Sequence, residues 1–255
     1  MEKLMKKTGF IRWYLRMLFH KNNILIIVVF NIIFVMNIIL NTDVLTFNDL
    51  IRLQFYGHGI NYFKLVDFIG LIIYNGIPIY LLSHFLEKER NDRSIFLNIR
   101  LKNKKQWFSS VIWCGILFIF TYILISLCIS FVIGMLYGLL FKNDLNAINI
   151  KNLYLLILIT KSLELIFYFL VVITCYLYTK NSVAGFLLIQ FGYLSYFFRA
   201  DISKYTPIGM GSLARISEFV GDQGVSCLVV VNILLTINIL IYLYLQNGVY
   251  KKNFY

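Results

Sequence analysis

The stretch EKERNDRSIFLNIRLKNKKQW, from Glu87 to Trp107, is a strongly charged segment between two apolar runs of membrane length. It begins with acidic residues and an arginine, carries a short apolar cluster at Ile95, Phe96 and Ile99, and ends in four basic residues between positions 100 and 105. A connection that only joined two helices could be far shorter. The stretch therefore predicts two membrane spans separated by a polar element that lies at the cytoplasmic face and touches a partner.

The composition of the whole chain indicates a membrane protein. Of the 255 residues, 60% are hydrophobic and 14% are charged, and the mean hydropathy is +0.76. Soluble domains keep about 25% of their residues charged. Because backbone groups in lipid must be paired within their own segment, the spans must be helices. We therefore expect one all-α, polytopic transmembrane domain over residues 1–255, with no second soluble domain.

Six apolar runs predict six transmembrane helices. Two of them, with 17 and 16 residues, are short for a straight crossing, which takes about 20 residues. These are the first and the fifth of the runs Ile24–Leu40, Leu65–Leu86, Phe108–Phe141, Tyr154–Tyr178, Val183–Phe198 and Val225–Leu245.

The distribution of lysine and arginine predicts the orientation. With a cytoplasmic N-terminus, sixteen of these residues fall inside and seven outside, and Arg215 is one of the seven. The positive-inside rule then places both termini in the cytoplasm of a multi-pass protein of the cell membrane. Once the acidic residues are counted, the inner face carries the whole net charge of +12. We expect this face to contact anionic membrane lipids and do not expect it to bind nucleic acid.

The N-terminal segment, residues 1–23, predicts an amphipathic helix that lies in the inner interface. Arg12 and Arg16 fall four residues apart on one stripe, and Trp13 and Tyr14 belong to an aromatic and apolar stripe beside it. This pattern is typical of a helix with its rings at the depth of the lipid headgroups, so these four residues are predicted interfacial anchors. No small-x-small cleavage site follows the first span, and we expect the segment to be retained.

Sequence motifs for catalysis, metal binding and nucleotide binding are absent. The three histidines are scattered, and there is no HExxH, GxSxG or GxxxxGK pattern. We therefore expect no enzymatic activity, no metal site and no cofactor in this chain.

Four polar residues stand out within the apolar runs. Lys161 and Glu164 are three residues apart and would share a helix face, where they could pair. The alternative is a span that starts near Thr160 and leaves Lys161 at the outer interface. Asn75 and Gln190 could form hydrogen bonds between helices or line a polar path. We expect the Lys161–Glu164 pair to be structural and to face the bundle.

The order of residues around the charged stretch resembles the type-2 (six-span exporter) class of ABC transporter permease subunits. Glu-Arg is followed by a hydroxyl residue, a short apolar helix, a basic patch and the next span. In this chain these are Glu89-Arg90, Ser94, Ile95-Phe96-Leu97, Arg100 to Lys105 and Trp107-Phe108. Where many members have a proline after the short helix, this chain has Arg100-Leu101. Composition and size are similar to permeases of low-GC Gram-positive bacteria that export, or give immunity to, antimicrobial peptides and bacteriocins.

The resemblance implies a function as a transport subunit. It implies that 87–107 is a cytoplasmic coupling helix and loop that docks on a separate ABC ATPase subunit, which would bind ATP and Mg. It also implies that 199–224 is an extracellular re-entrant segment and that a second copy or a sister permease completes a dimer. The residues predicted to couple to the ATPase are Glu87, Glu89, Arg90, Arg93, Ile95, Phe96, Ile99 and Arg100.

Two other function classes stay open at this point. One is a self-contained, ion-coupled carrier or channel in which Lys161 and Glu164 bind the coupling ion. The other is an intramembrane enzyme, which the missing catalytic motifs disfavour. Co-purification of the chain with an ATPase would distinguish a permease subunit from both of these alternatives.

Overall fold

The structure, a computed structural model, describes residues 11–42, 44, 46–57, 65–100, 104–138, 150–197, 204–221 and 224–249. Side chains are described within these ranges except at 90–100, 104–107, 150–152, 196–197 and 248–249. The described residues contain helices and no strand; one isolated bridge joins Ile216 and Val225.

Nine α-helices are numbered in chain order within the described ranges. Three 3-10 or π turns accompany them: Tyr193–Phe197, Leu213–Arg215 and Leu245–Val249. The helices are α1 (residues 11–18), α2 (Lys21–Asn41), α3 (Phe47–Tyr56), α4 (Leu65–Arg100), α5 (Lys104–Leu136), α6 (Ile150–Thr179), α7 (Ser182–Gly192), α8 (Ser217–Val220) and α9 (Cys227–Tyr244).

Five helices in the described part of the chain are long and apolar enough to cross a membrane, which indicates a multi-pass membrane protein. Their apolar segments agree with five of the six predicted spans. They are Lys21–Asn41, Leu65–Glu89, Phe108–Leu136, Leu153–Thr179 and Cys227–Asn247.

The predicted fifth span, Val183–Phe198, is not among the five long helices, and its described residues belong to the shorter apolar helix Ser182–Ser195. The α-helix α7 ends at Gly192 and continues only as the 3-10 turn Tyr193–Phe197. Glycine is a weak helix former, and the Ile208 side chain from a later loop packs against this glycine. The α-helix therefore stops where that loop enters the bundle.

Contacts between helices place α1 and the end of α9 at the same end of the bundle, which we call the near end. Tyr14 of α1 contacts Glu89 at the end of the second span. Ser182, the first residue of α7, donates a hydrogen bond to the Ser83 carbonyl of α4. The Tyr244 hydroxyl of α9 contacts the hydroxyl of Tyr178, the penultimate residue of α6. The first and last described helices, α1 and α9, therefore have their contacts at the same end of the bundle.

The opposite, or far, end carries α3, which lies between the first two spans. Thr46 and Asp49 form a reciprocal capping box at its start. The Phe47 ring lies against Gly134 of α5 and 6.3 Å from the ring of Tyr154, near the start of α6. The connection between the first two spans is therefore a packed amphipathic helix as well as a loop.

The charged stretch continues α4 without a break to Arg100, so in the structure the predicted coupling helix is the end of α4. The next helix begins at Lys104. The side chains of Arg90, Arg93, Ile95, Phe96, Ile99 and Arg100 lie outside the described residues.

Candidate functional site

A buried pair of opposite charges and a tyrosine lie on one face of α6. Lys161, Glu164 and Tyr168 are spaced three and four residues apart, which places them on adjacent turns. Lys161 is 1% exposed and Glu164 is fully buried, and Lys161 Nζ lies 2.8 Å from Glu164 Oε2. The two residues therefore pair with each other inside the bundle of helices.

The second oxygen of the carboxylate accepts hydrogen bonds from two other side chains. Tyr168 Oη donates to Glu164 Oε1 at 2.5 Å, and Asn75 Nδ2 of α4 approaches the same oxygen at 3.4 Å. Asn75 Nδ2 also donates to Tyr193 Oη at 2.8 Å, and Tyr193 Oη donates to Tyr168 Oη at 3.1 Å. We call these five residues the polar centre; it joins α4, α6 and the turn after α7.

A loop that precedes α9 packs against the polar centre. The backbone N–H of Gly209 donates to Tyr168 Oη at 2.8 Å. Gly211 lies so close to α6 that a Cβ there would be 2.6 Å from Glu164 Oε2 and 2.8 Å from the Thr160 carbonyl oxygen. Only glycine fits this approach, because the nearest atoms are a held carboxylate and backbone.

Arg215 of the same loop, one of the seven basic residues predicted to lie outside, is fully buried. Its Nη1 group donates to the Thr206 carbonyl and hydroxyl oxygens and to the Ile208 carbonyl, each at 3.2 Å. The guanidinium thus binds carbonyls of its own loop and holds that loop in a compact turn.

The polar centre is a closed and largely satisfied network. Both carboxylate oxygens accept hydrogen bonds, and the carboxylate charge is balanced by a neighbouring ammonium group. Such an arrangement can hold three elements in register, since removal of one partner leaves an uncompensated buried charge. The Oδ1 atom of Asn75 has no hydrogen-bond partner among the described residues.

Of the four predicted intramembrane polar residues, the structure brings Lys161, Glu164 and Asn75 together. The Gln190 amide nitrogen lies beside Gly76, the residue that follows Asn75 in α4. The sequence analysis did not predict Tyr168 or Tyr193 as members of the centre. The spacing of Tyr168 from Glu164 could have indicated the first; nothing local could have indicated the second, because it comes from another helix.

A second buried polar cluster fastens α3 to α5. Gln54 Nε2 donates to Ser126 Oγ at 2.8 Å, and Ser130 Oγ donates to Gln54 Oε1. Tyr74 Oη of α4 also donates to Ser126 Oγ, at 3.1 Å. Tyr74 and Asn75 are neighbours, so one step along α4 links this cluster to the polar centre.

At the near end, the structure separates the predicted anchors into two kinds. Arg12, Trp13 and Arg16 are exposed, whereas Tyr14 is fully buried. Tyr14 Oη donates to Glu89 Oε1 at 2.6 Å.

Glu89 was predicted to contact an ATPase, but its side chain is 1% exposed. Because it is buried against α1, little of its surface is accessible to a partner. Its hydrogen bond to Tyr14 fixes the start of the charged stretch to α1. Glu87 is half-buried.

The described residues contain no group of three or more histidines, cysteines, aspartates and glutamates that could hold a metal ion. No protein-family model, curated protein or solved structure matches the chain, so its function has to be argued from the polar centre, the near end and the sequence.

Proposed function

We propose that this chain is the transmembrane permease subunit of an ATP-driven ABC exporter, with ATP hydrolysed by a separate subunit. Its cargo class is amphipathic peptides, antimicrobial or cytolytic, moved out of a Gram-positive bacterium for export or self-immunity. A second copy or a sister permease completes the transport path. Both termini lie in the cytoplasm, where the chain's positive charge is concentrated.

The observation that supports this proposal most is the helical extension at the near end. The second span ends at Glu89, but α4 continues to Arg100. Eleven further residues add about 16 Å of helix. This extension contains the apolar cluster at Ile95, Phe96 and Ile99, flanked by charges. An apolar centre with a polar rim is the composition of a docking element for another protein.

The start of this extension, at Glu89, is fixed to the rest of the bundle. Tyr14 of α1 binds Glu89, and the Tyr14 ring packs edge-on against the Phe85 ring with centroids 5.6 Å apart. A helix that transmits movement from a partner needs such a rigid connection, since a loosely held helix would move without displacing the spans.

The runner-up is an ion-coupled carrier, which the buried Lys161–Glu164 pair favours, because charges inside spans often belong to ion pathways. The geometry of the centre supports this function less well. The Glu164 carboxylate already accepts hydrogen bonds from Lys161, Tyr168 and Asn75, and Gly211 covers it. A coupling ion would have to displace these partners. A structural pair is the better interpretation.

The proposal is tested by purifying the tagged chain from its own membranes in a mild detergent. We expect an ATPase with a GxxxxGK motif to co-purify in near-stoichiometric amount and to hydrolyse ATP in a vanadate-sensitive way. Replacement of the lysine of that motif should abolish export. Substrate movement by the chain alone in proteoliposomes, driven by a proton gradient, would instead establish the carrier.

A further inference from the structure

One face of α9 packs against the rest of the bundle. Its buried residues Val230, Leu234 and Asn238 recur every four positions, and Asn238 donates a hydrogen bond to the Leu163 carbonyl of α6. Because one helical turn holds about 3.6 residues, a side chain two positions after each of these lies roughly 200° around the helix. That opposite face of α9 therefore points away from the bundle.

Two polar side chains lie on this outward face at membrane depth. Asn232 and Thr236 are exposed, and they lie five and nine residues after the start of the span Cys227–Asn247. The rise of the helix places them about 8 and 14 Å from that start. Neither side chain forms a hydrogen bond within the part of the chain that the structure describes. Both are therefore open to another molecule.

Lipid is an unfavourable neighbour for such groups. Other polar side chains of the spans bind a backbone carbonyl: Thr121 donates to Leu117 at 2.8 Å, and Asn238 donates to Leu163 at 2.9 Å. An amide in hydrocarbon without a hydrogen-bond partner costs free energy. Asparagine and threonine within spans are typical of contacts between helices, where they bind across the interface. The outward face of α9 is therefore better matched to a second helix than to lipid.

The exposed residues of this face follow a repeat of alternating three- and four-residue steps. We call the five residues of this repeat the α9 seam: Val229, Asn232, Thr236, Ile239 and Leu243. This is the spacing at which two helices pack as a left-handed coiled coil, with side chains of one helix between those of the other. Most pairs of transmembrane helices cross with the same geometry.

We propose that the α9 seam binds the α9 seam of a second copy of this chain, across a two-fold axis perpendicular to the membrane. Such an axis keeps equivalent residues at equal depth, so Asn232 faces Asn232 of the second copy. An amide carries both a donor and an acceptor, and two identical amides can therefore satisfy each other. A single asparagine in an otherwise apolar seam also fixes the register of the paired helices.

The inference rests on the proposed function in one respect, the presence of a second permease chain, and it identifies that chain as another copy. Its tests measure contact between permease chains and not ATP hydrolysis. Failure of the seam is therefore distinguishable from failure of the ATPase proposal.

The seam is tested first by disulfide crosslinking in native membranes. In a variant free of native cysteines, Ile239→Cys should form a disulfide-linked dimer when the membranes are treated with copper phenanthroline. Ile33→Cys is the matched control, because Ile33 is 62% exposed in the middle of α2 and lies outside the seam. It should give at least about tenfold less dimer, since a disulfide needs Cα atoms within about 7 Å of each other.

The amide pair is tested by counting subunits of the labelled wild-type chain in liposomes over a series of protein-to-lipid ratios. Asn232→Leu should weaken dimerisation about fivefold, because one hydrogen-bonded contact between helices is lost. Asn37→Leu makes the same substitution at the exposed end of α2, where Asn37 binds Asn41, and should leave dimerisation unchanged.

Equal crosslinking at positions 239 and 33 would overturn the seam, and so would a chain that stays monomeric at high protein-to-lipid ratio. Crosslinking of Ile239→Cys to a different protein would assign the seam to a sister permease and overturn the second copy. Unchanged dimerisation of Asn232→Leu would overturn the amide pair.

Discussion

The hydroxyl of Tyr14 donates a hydrogen bond of 2.6 Å to the carboxylate of Glu89, seventy-five residues later in the chain. Both side chains are buried, so this bond joins the helix before the first span to the last turn of the second. The predicted anchor and the predicted coupling residue are thus partners of each other. The charged stretch is held from within the protein at its first turn.

Replacing Tyr14 by Phe should destabilise the protein by about 1–3 kcal/mol, because the buried carboxylate of Glu89 loses a donor. Thermal unfolding of the purified protein in detergent measures the effect. Tyr80→Phe is the matched control, since Tyr80 lies on the exposed face of the same α4 helix and should leave the melting temperature unchanged. A Tyr14→Phe protein as stable as the control would show that the bond contributes nothing.

Replacing Glu89 by a basic residue should harm folding, because it would place a buried cation against Tyr14. This substitution is therefore a poor test of whether the α4 extension couples to an ATPase. The apolar cluster is the better target: Ile95→Glu with Phe96→Glu should leave insertion and stability intact and abolish binding of the ATPase. Unchanged ATPase association and stimulation in this double variant would remove the coupling role from the α4 extension.

Removal of Lys161 alone should be severely destabilising, by about 3–5 kcal/mol, because Glu164 stays buried without its counter-ion. The double replacement Lys161→Leu with Glu164→Leu should cost less than the sum of the two single replacements. It should still cost something, since the hydroxyl of Tyr168 and the amide of Asn75 lose their acceptor. A double-mutant cycle on melting temperatures measures the coupling, and strictly additive effects would contradict a paired centre.

Close packing of α6 against α7 depends on Gly185. A Cβ at this position would lie 2.8 Å from the Cα atom of Val172, which is backbone and cannot rotate away. Gly185→Ala should therefore destabilise the protein by about 1–3 kcal/mol. Gly70→Ala, whose Cβ would make only an ordinary contact with the Phe34 ring, serves as control. Equal melting temperatures for the two variants would show that α7 can shift without loss of stability.

Composition predicted the long spans well because a run such as Leu153–Thr179 has to be apolar throughout its length. The α3 helix was missed although its signals are local: Thr46 with Asp49 forms a capping box, and Leu50, Ile51 and Phe55 share one face. These residues lie between two predicted spans, and for that reason they were interpreted as a loop.

Only the part of the polar centre that lies within a single helix could be predicted from the sequence. Lys161 and Glu164 pair across a single turn, so their spacing was sufficient. Tyr193 joins them from α7, and its position depends on how the helices pack. Gly211 is one glycine among fifteen, and only its distance from Glu164 shows what it does.

Cysteine labelling of intact cells tests the predicted orientation of the two ends. A cysteine at Lys204, in the loop before α8, should react with an impermeant reagent, and one at Asn103 should react only after the cells are opened. The positive-inside rule is the reason for this expectation. The reverse pattern would place both termini outside and would rule out a cytoplasmic ATPase at the α4 extension.

The most direct measurement is site-specific photo-crosslinking in the native host, with a photoreactive amino acid at Phe96 and, separately, at Tyr205. We expect the residue at 96 to form an adduct with a GxxxxGK-containing ATPase, and the residue at 205, at the far end, to form none. Loss of the adduct on Ile95→Glu replacement should accompany loss of export. Absence of any ATPase adduct at 96 from a folded, membrane-inserted protein would contradict a function as an ABC permease subunit.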